Sequence, residues 1–370
     1  MKDNKKIIIA FIVFSMLLSL LAIFAGAREA PTWRSSARAS ALYDPTRGIF
    51  LSEKQGDERL PMASTTKIMT ALIAIERSDP DVVITIPREA VGIEGSSVYL
   101  TEGDTISVRD LIYSTMLASA NDAATALAIH IGGDVHGFAE IMNERAYAMG
   151  LTNTHYDNPH GLDSEEHYTT ARDLAILAGE ALKNEEFKKI SSTYKHSFFI
   201  SDKPRTVVNH NKLLSRVEDA VGVKTGYTKR CGRCLVGAIE RDGVLLVSVT
   251  LDDPNDWVDH EAMLEGGFSE YKRVDLAEIT DTEFTLSSPF PGKGYISANI
   301  PESERYATLH PSDLDCLTVT VDLPEVICYA VKRGDKLGEL RLERNEKIIK
   351  AVDIVAKEDS SPLDFFNKKT

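Results

Sequence analysis

The chain is short of positive charge, short of cysteine and without repeats, and each shortage narrows what it can do. It carries 42 Lys and Arg against 56 Asp and Glu, a formal net charge of −14. So acidic a protein is a poor partner for nucleic acid or an anionic surface. No repeat or low-complexity tract is evident, which sets aside solenoids and arrays. The four cysteines are Cys231, Cys234, Cys316 and Cys328. Cys231 and Cys234 have C-x-x-C spacing, but no second such pair accompanies them and no C-x-x-C-H haem motif follows. They read first as buried structural thiols, with zinc or redox chemistry as the alternative. An oxidising compartment leaves open disulfides joining Cys231 to Cys234 or Cys316 to Cys328.

The apolar and charged fractions, 43% and 26%, are those of an ordinary globular protein, and 370 residues suggest two domains. The N-terminus differs. Lys2, Lys5 and Lys6 precede an apolar run from Ile7 to Phe24 broken only by Ser15 and Ser19. Ala25-Gly26-Ala27 then fits an A-x-A cleavage site, so residues 1–27 read as a signal peptide. An uncleaved anchor is the alternative, because the run approaches a membrane-spanning length. Either way the rest of the chain is expected outside the cytoplasm, secreted or on the outer face of the membrane.

Residues 39–43 and 48–52 read as strands around the turn Asp44-Pro45-Thr46-Arg47. A helix follows Pro61, with Ile68, Leu72 and Ile75 at helical spacing, and stops before Asp79-Pro80. Ser107 opens a second helix whose pattern breaks at Ser119-Ala120-Asn121; a third begins with Asp122 and ends at Gly132-Gly133. Residues 135–149 read as another helix, 156–167 as a loop, and Thr169 or Thr170 as the cap of the next helix. Residues 221–227, 234–239 and 244–251 are extended, the last two joined by the hairpin signal Arg241-Asp242-Gly243. A helix over 255–271 follows. After about residue 274, runs at 282–286, 318–321, 326–331 and 339–342 alternate like strands. The expected fold is α+β: an antiparallel sheet flanked by helices, with an all-helical subdomain and then a small all-β C-terminal domain. The expected division is 28–274 and 275–358, with a tail at 359–370.

Ser64 and Lys67 are three apart at the start of the first helix, so they share a face. Serine is a weak nucleophile until a base takes its proton, and a lysine can be that base if burial or a neighbouring cation lowers its pKa. S-x-x-K recurs at Ser192–Lys195 and Ser269–Lys272, so the motif alone is unspecific. Two further motifs stand in order behind it: Ser119-x-Asn121 and Lys224-Thr225-Gly226. Acyl transfer needs a nucleophile, a base, oxyanion donors and a group to hold the substrate. Ser64 and Lys67 supply the first two. Ser119 can relay a proton to a leaving amine, and Asn121 can hold a substrate amide or keep Lys67 in place. Lys224 adds a cation, Thr225 can bond a carboxylate, and Gly226 lets a substrate lie against the strand edge. The backbone N–H groups of Ser64 and Tyr227 are the candidate oxyanion hole. Asp163, Glu165, Glu166 and His167 read as a solvated loop rather than a metal cluster, and His210 as either a surface histidine or a substrate contact.

On these motifs the chain closely resembles the D-alanyl-D-alanine carboxypeptidases, the low-molecular-mass penicillin-binding proteins among the penicillin-recognising serine enzymes. Leu60-Pro61-Met62-Ala63-Ser64-Thr65-Thr66-Lys67, Ser119-Ala120-Asn121-Asp122-Ala123-Ala124 and His160-Gly161-Leu162-Asp163 carry the likeness, as do Asn209-x-Asn211-Lys212-Leu213-Leu214 and Lys224-Thr225-Gly226-Tyr227-Thr228. It runs from about residue 39 to 268 and continues through Leu323-Pro324 and the segment 331–338. The resemblance implies a metal-free and cofactor-free reaction in which Ser64 attacks the bond between two terminal D-alanines of a peptidoglycan stem pentapeptide. It also implies that β-lactams acylate Ser64. The alternatives are a β-lactamase, against which no E-x-x-L-N segment lies between Asn121 and Lys224, and a β-lactam sensor or cell-wall binding protein without turnover. The family often ends in an amphipathic membrane-anchoring helix. None is evident here, which leaves residues 7–24 as the candidate for membrane association.

Overall fold

The computed structural model describes residues 35–289, 294–313 and 315–360. The signal segment expected at 1–27 lies outside the described residues, as does most of the expected tail. Two strands open the described chain, β1 (Ala39–Asp44) and β2 (Ile49–Lys54), joined across the expected turn. The nucleophile segment and helix α1 (Lys67–Arg77) come next, then a short hairpin of β3 (Val83–Thr85) and β4 (Thr105–Ser107). Helices α2 (Val108–Leu117), α3 (Asn121–Gly132) and α4 (Val135–Ala148) follow. Side chains do the capping the sequence suggests. Ser107, Asp134 and Thr170 each accept a backbone N–H at the head of a helix.

Helix α5 (Ala171–Ala181) is followed by one the sequence reading did not foresee, α6 (Glu185–Ser192). It is only eight residues long, too short for apolar periodicity to stand out, though Asn184 caps it. A hairpin of β5 (Lys195–Ile200) and β6 (Lys203–Val208) and the short α7 (Leu213–Arg216) lead to the last strands of the main sheet: β7 (Ala220–Thr228), β8 (Gly232–Arg241) and β9 (Val244–Leu251). Helix α8 (Asp256–Phe268) ends this part.

The main sheet is antiparallel with strand order β2-β1-β9-β8-β7. Its central strands β8 and β9 are buried almost throughout, as strands covered on both faces must be. A Cβ on Gly267 of α8 would meet Leu42, whereas one on Gly179 of α5 would meet Tyr43. Neighbouring residues on a strand face opposite ways, so the two helices cover opposite faces of β1. The edge strand β7 packs on the Ala63–Thr66 turn that opens α1, which is what brings the K-T-G strand to Ser64.

Beyond α8 the chain is β-rich. Strands β10 (Lys272–Asp275) and β13 (Tyr306–Leu309) pair with each other. Strands β11 (Glu283–Ser287), β12 (Tyr295–Asn299), β14 (Leu317–Asp322), β15 (Lys336–Arg344) and β16 (Lys347–Ala356) form a second sheet in the order β11-β12-β16-β15-β14. It encloses its own apolar core, including Leu286, Ile296, Leu340 and Ile354. The expected strand at 326–331 is corrected: only isolated bridges at Val326 and Val331 hold it. Ile327 and Val331 are buried but Val326 and Tyr329 are exposed, so single anchors pin this stretch rather than a ladder.

Arg47, buried at the β1–β2 turn, reaches Asp44 at 3.0 Å and Asp313 at 2.8 Å, while Tyr271 donates to Asp44 at 2.6 Å. That ionic cluster ties the first hairpin to the segment after β13. Among the described residues no helix is long and apolar enough to cross a membrane.

Candidate active site

Ser64 sits in a single 3₁₀ turn, Ala63–Thr66, not in the α-helix that the spacing suggested. The tighter turn still serves the motif, because residues three apart eclipse in a 3₁₀ helix. Met62 and Ala63 carbonyls accept the hydroxyls of Thr65 at 2.6 Å and Thr66 at 2.8 Å, which locks the turn from within. Ala63 has a φ of 46°, in the left-handed region where a side chain is strained. Two glycines press against the turn. A Cβ on Gly226 would lie 3.1 Å from Ser64 N and from Met62 O. One on Gly161, whose φ is +86°, would lie 1.8 Å from Ala63 O.

Lys67 is fully buried and its amine has three partners: Ser64 Oγ at 2.9 Å, Asn121 Oδ1 at 2.7 Å and the His160 carbonyl at 2.6 Å. Burial, and then the nearby Lys224 cation, holds the Lys67 pKa well below the ordinary lysine range, with Asp122 opposing. A neutral amine has two N–H donors and one lone pair. The amide oxygen and the carbonyl can only accept, so they take the two N–H groups. The lone pair is left facing the Ser64 hydroxyl.

Asn121 is itself held. Its backbone N–H donates to Ser96 O at 2.7 Å and its side-chain N–H to Glu94 O at 2.5 Å. The loop that provides those carbonyls is tied down by Asp122, which accepts from Ser97 Oγ, Val98 N and Leu100 N. Just before it, Ser119 turns the chain between α2 and α3 with a φ of 58°. That conformation brings Ser119 Oγ within 3.0 Å of Lys224 Nζ.

Lys224 is 1% exposed, and its amine also donates to Thr225 O at 2.9 Å. Burial pushes its pKa down to about 7. In front lies a cleft of about 580 Å³ lined by Ser64, Ser119, Thr225, Gly226 and Tyr227, with His210, Arg233 and Trp257 at its sides. All eight residues singled out from sequence are therefore placed in or directly around this cleft. His210 lines it too, with an imidazole pKa lowered by burial and by Lys224.

Sequence reasoning missed three parts. The His160 carbonyl is silent in the sequence because a main-chain oxygen has no side-chain signature; only the His-Gly-Leu-Asp likeness marks it. The sequence marks Asp122 as a helix start, and the structure shows that it also anchors the loop 94–100. The reading of His167 as part of a solvated loop is corrected: it is 3% exposed and lies 2.8 Å from Thr66 Oγ1. Asp157 N donates to His167 Nδ1, so the proton rests on Nε2, which donates to Thr66. Burial lowers the His167 pKa to about 4 and that of His160 to about 3. Among the described residues no three His, Cys, Asp or Glu side chains converge as a metal site.

Comparison with known proteins places this geometry. A family model described as D-alanyl-D-alanine carboxypeptidase matches residues 26–255. Bacillus subtilis D-alanyl-D-alanine carboxypeptidase DacF is 30% identical, with 90% of this chain and 89% of that protein covered. Escherichia coli DacC, of the same description, is 32% identical over 92% of this chain and 88% of its own length. Among solved structures, Francisella tularensis DacD superposes with a TM-score of 0.63 at 27% identity, covering 91% of this chain and 97% of that one. Penicillin binding protein 5 from Haemophilus influenzae superposes at 0.62 and 26% identity, covering 89% and 98%. The chain belongs to the D-alanyl-D-alanine carboxypeptidase family.

Proposed function

We propose that this protein is a serine-type carboxypeptidase that removes the terminal D-alanine from peptidoglycan stem pentapeptides, with Ser64 as nucleophile and Lys67 as base. One observation carries the reading: the Lys67 amine has two acceptor-only partners, which leave its lone pair for the Ser64 hydroxyl. Ser64 Oγ attacks the carbonyl between the two D-alanines as Lys67 takes its proton. The Ser64 and Tyr227 N–H groups stabilise the oxyanion. The tetrahedral intermediate collapses and D-alanine leaves, its amine taking a proton relayed by Ser119. Asn121 holds Lys67 in place, and Lys224 and Thr225 receive the terminal carboxylate. Gly226 keeps the strand edge open to the peptide. Water then hydrolyses the acyl-enzyme, with Lys67 again as base. β-Lactams enter the same path and acylate Ser64.

Peptidoglycan processing by this family places the work on the cell-wall side of the membrane. We assign residues 1–27 to export and, where uncleaved, to membrane attachment. Residues 28–274 form the peptidase domain, 275–358 a β-rich accessory domain and 359–370 a tail. Labelling with benzylpenicillin followed by mass spectrometry is expected to find a long-lived adduct on Ser64. D-alanine should be released from a diacetyl-lysyl-D-Ala-D-Ala peptide. Rapid penicillin turnover points instead to a β-lactamase, and an adduct without D-alanine release to a sensor; either result overturns the proposal.

A further inference from the structure

Two thiols that the reaction at Ser64 does not use lie beside the cleft, Cys234 in its lining and Cys231 next to Cys234. Cys231 stands in the turn between β7 and β8. Cys234 is on β8, opposite Gly226 of the K-T-G strand, and lines the cleft. Their sulfurs are 3.9 Å apart. A disulfide requires about 2.05 Å, a closure of roughly 2 Å. The two thiols are not equivalent. The Cys234 thiol is placed to donate to Cys231 Sγ, and Cys231 N donates to Thr228 Oγ1 at 3.1 Å. The Cys234 contact, then Thr228, lowers the Cys231 pKa, while the Cys231 contact and burial raise that of Cys234. The thiolate is the reactive form of a cysteine, so Cys231 is the nucleophile of the pair.

We propose that Cys231 and Cys234 form a peroxide-oxidisable thiol site at the edge of the acylation cleft, with Cys231 the attacking sulfur and Cys234 the resolving one. The oxidant is a small hydroperoxide. Cys231 and Cys234 are only 3% and 1% exposed, which bars the in-line approach of another protein's disulfide. The 580 Å³ cleft has room for a molecule the size of hydrogen peroxide as far as Cys234, whose sulfur is 3.9 Å from that of Cys231. The Cys231 thiolate attacks one peroxide oxygen. The S–O bond forms, the O–O bond breaks, and hydroxide leaves and takes up the proton that Cys231 had released. Cys234 sulfur then attacks Cys231 sulfur. The S–S bond forms, the S–O bond breaks, and the departing hydroxide takes the Cys234 proton as water. Two thiols are oxidised to one disulfide and one hydrogen peroxide is reduced to two waters.

The site makes no use of Ser64, so it stands or falls apart from the carboxypeptidase reading. The chain supplies its own comparators in Cys316, which is partly exposed, and Cys328, which is exposed. The test treats the folded full chain with stoichiometric hydrogen peroxide, followed by alkylation and peptide mapping. A Cys231–Cys234 bridge is expected before any oxidation at Cys316 or Cys328, at least tenfold faster. The advantage should vanish when the chain is unfolded in denaturant. In Cys234→Ser the resolving thiol is gone, and dimedone should trap a sulfenic acid on Cys231. A cooperative thermal transition reports whether that variant is folded, and if it is not, the order of oxidation in the native chain decides alone. Cys328 reacting first, dimedone label on Cys316 or Cys328 ahead of Cys231, or faster bridging by glutathione disulfide than by peroxide would each overturn the proposal.

Discussion

Lys67 concentrates the chemistry at the scale of one residue. Its amine must be uncharged to accept the Ser64 proton, and burial with the Lys224 cation beside it favours that form. Acylation is therefore expected to fall as pH drops through the Lys67 titration, because the protonated amine has no lone pair to offer. The second-order rate of labelling by a fluorescent penicillin, measured against pH, checks the sign; a rate that rises in acid contradicts it. Lys67→Arg keeps the charge and much of the volume but cannot deprotonate. It should lose about 10²- to 10⁴-fold in acylation, the usual contribution of a general base. Near-normal acylation of that variant would refute the role. This part of the site was legible in the sequence because a short-range spacing encoded it. The partner on the far side, the His160 carbonyl, was not legible, since any residue type carries that oxygen.

The elements that hold the site are themselves held by close approaches. The loop 157–167 lies against the nucleophile turn through Gly161, Thr66 and His167, and Thr70 Oγ1 donates to Pro159 O at 2.6 Å. Gly161 is at once in the left-handed region and without room for a side chain. Gly150 has a similar φ of +76° but nothing within 4 Å of where a Cβ would stand. Comparing the two alanine substitutions separates the costs. Gly150→Ala should lose about 1 kcal/mol from backbone strain alone. Gly161→Ala should lose clearly more, and acylation should drop with it because the His160 carbonyl moves away from Lys67. Thermal midpoints and penicillin labelling of both variants provide the check, and equal losses in stability would mean that the loop yields freely. The same logic explains why the decoy motifs fail. Ser192 ends α6 and Lys195 opens β5, while Ser269 caps α8 and Lys272 opens β10, so neither pair shares a helical face. Local spacing exposes the candidates, the ordered motifs behind Ser64 single one out, and the element boundaries show why the other two cannot work. Those boundaries depend on more than local pattern: α6 is too short to show a period, and 326–331 alternates like a strand but is held only by single bridges.

Across the whole molecule, imidazoles buried uncharged are one reason that stability depends on pH in acid. His160 and His167 flank the nucleophile turn, with pKa values lowered by burial to about 3 and about 4. His260, on α8 and far along the chain, is fully buried between Ser248 Oγ at 2.7 Å and Thr250 Oγ1 at 2.9 Å, and burial lowers its pKa to about 3. Each folded-state value lies below the ordinary 6.5. Between pH 6.5 and about 4 the unfolded chain therefore binds more protons than the folded one, and stability rises with pH across that window. The contribution is complete above 6.5 and is lost as pH falls. Buried carboxyls at Asp173 and Asp253 are held above their usual range and act in the opposite sense. A single histidine must therefore be removed to see its term. One buried histidine costs about 2 kcal/mol between pH 6.5 and pH 5, at 1.36 kcal/mol per unit. Denaturant midpoints of the parent and His260→Gln at pH 7.5 and pH 5.0 isolate that share. The variant should be less stable at pH 7.5, where two hydroxyls lose an imidazole partner, yet it should fall less on going to pH 5.0. An identical fall in both proteins would mean that His260 meets water before the fold opens, and the tie between α8 and the central strands β8 and β9 would not be the dry contact its burial describes.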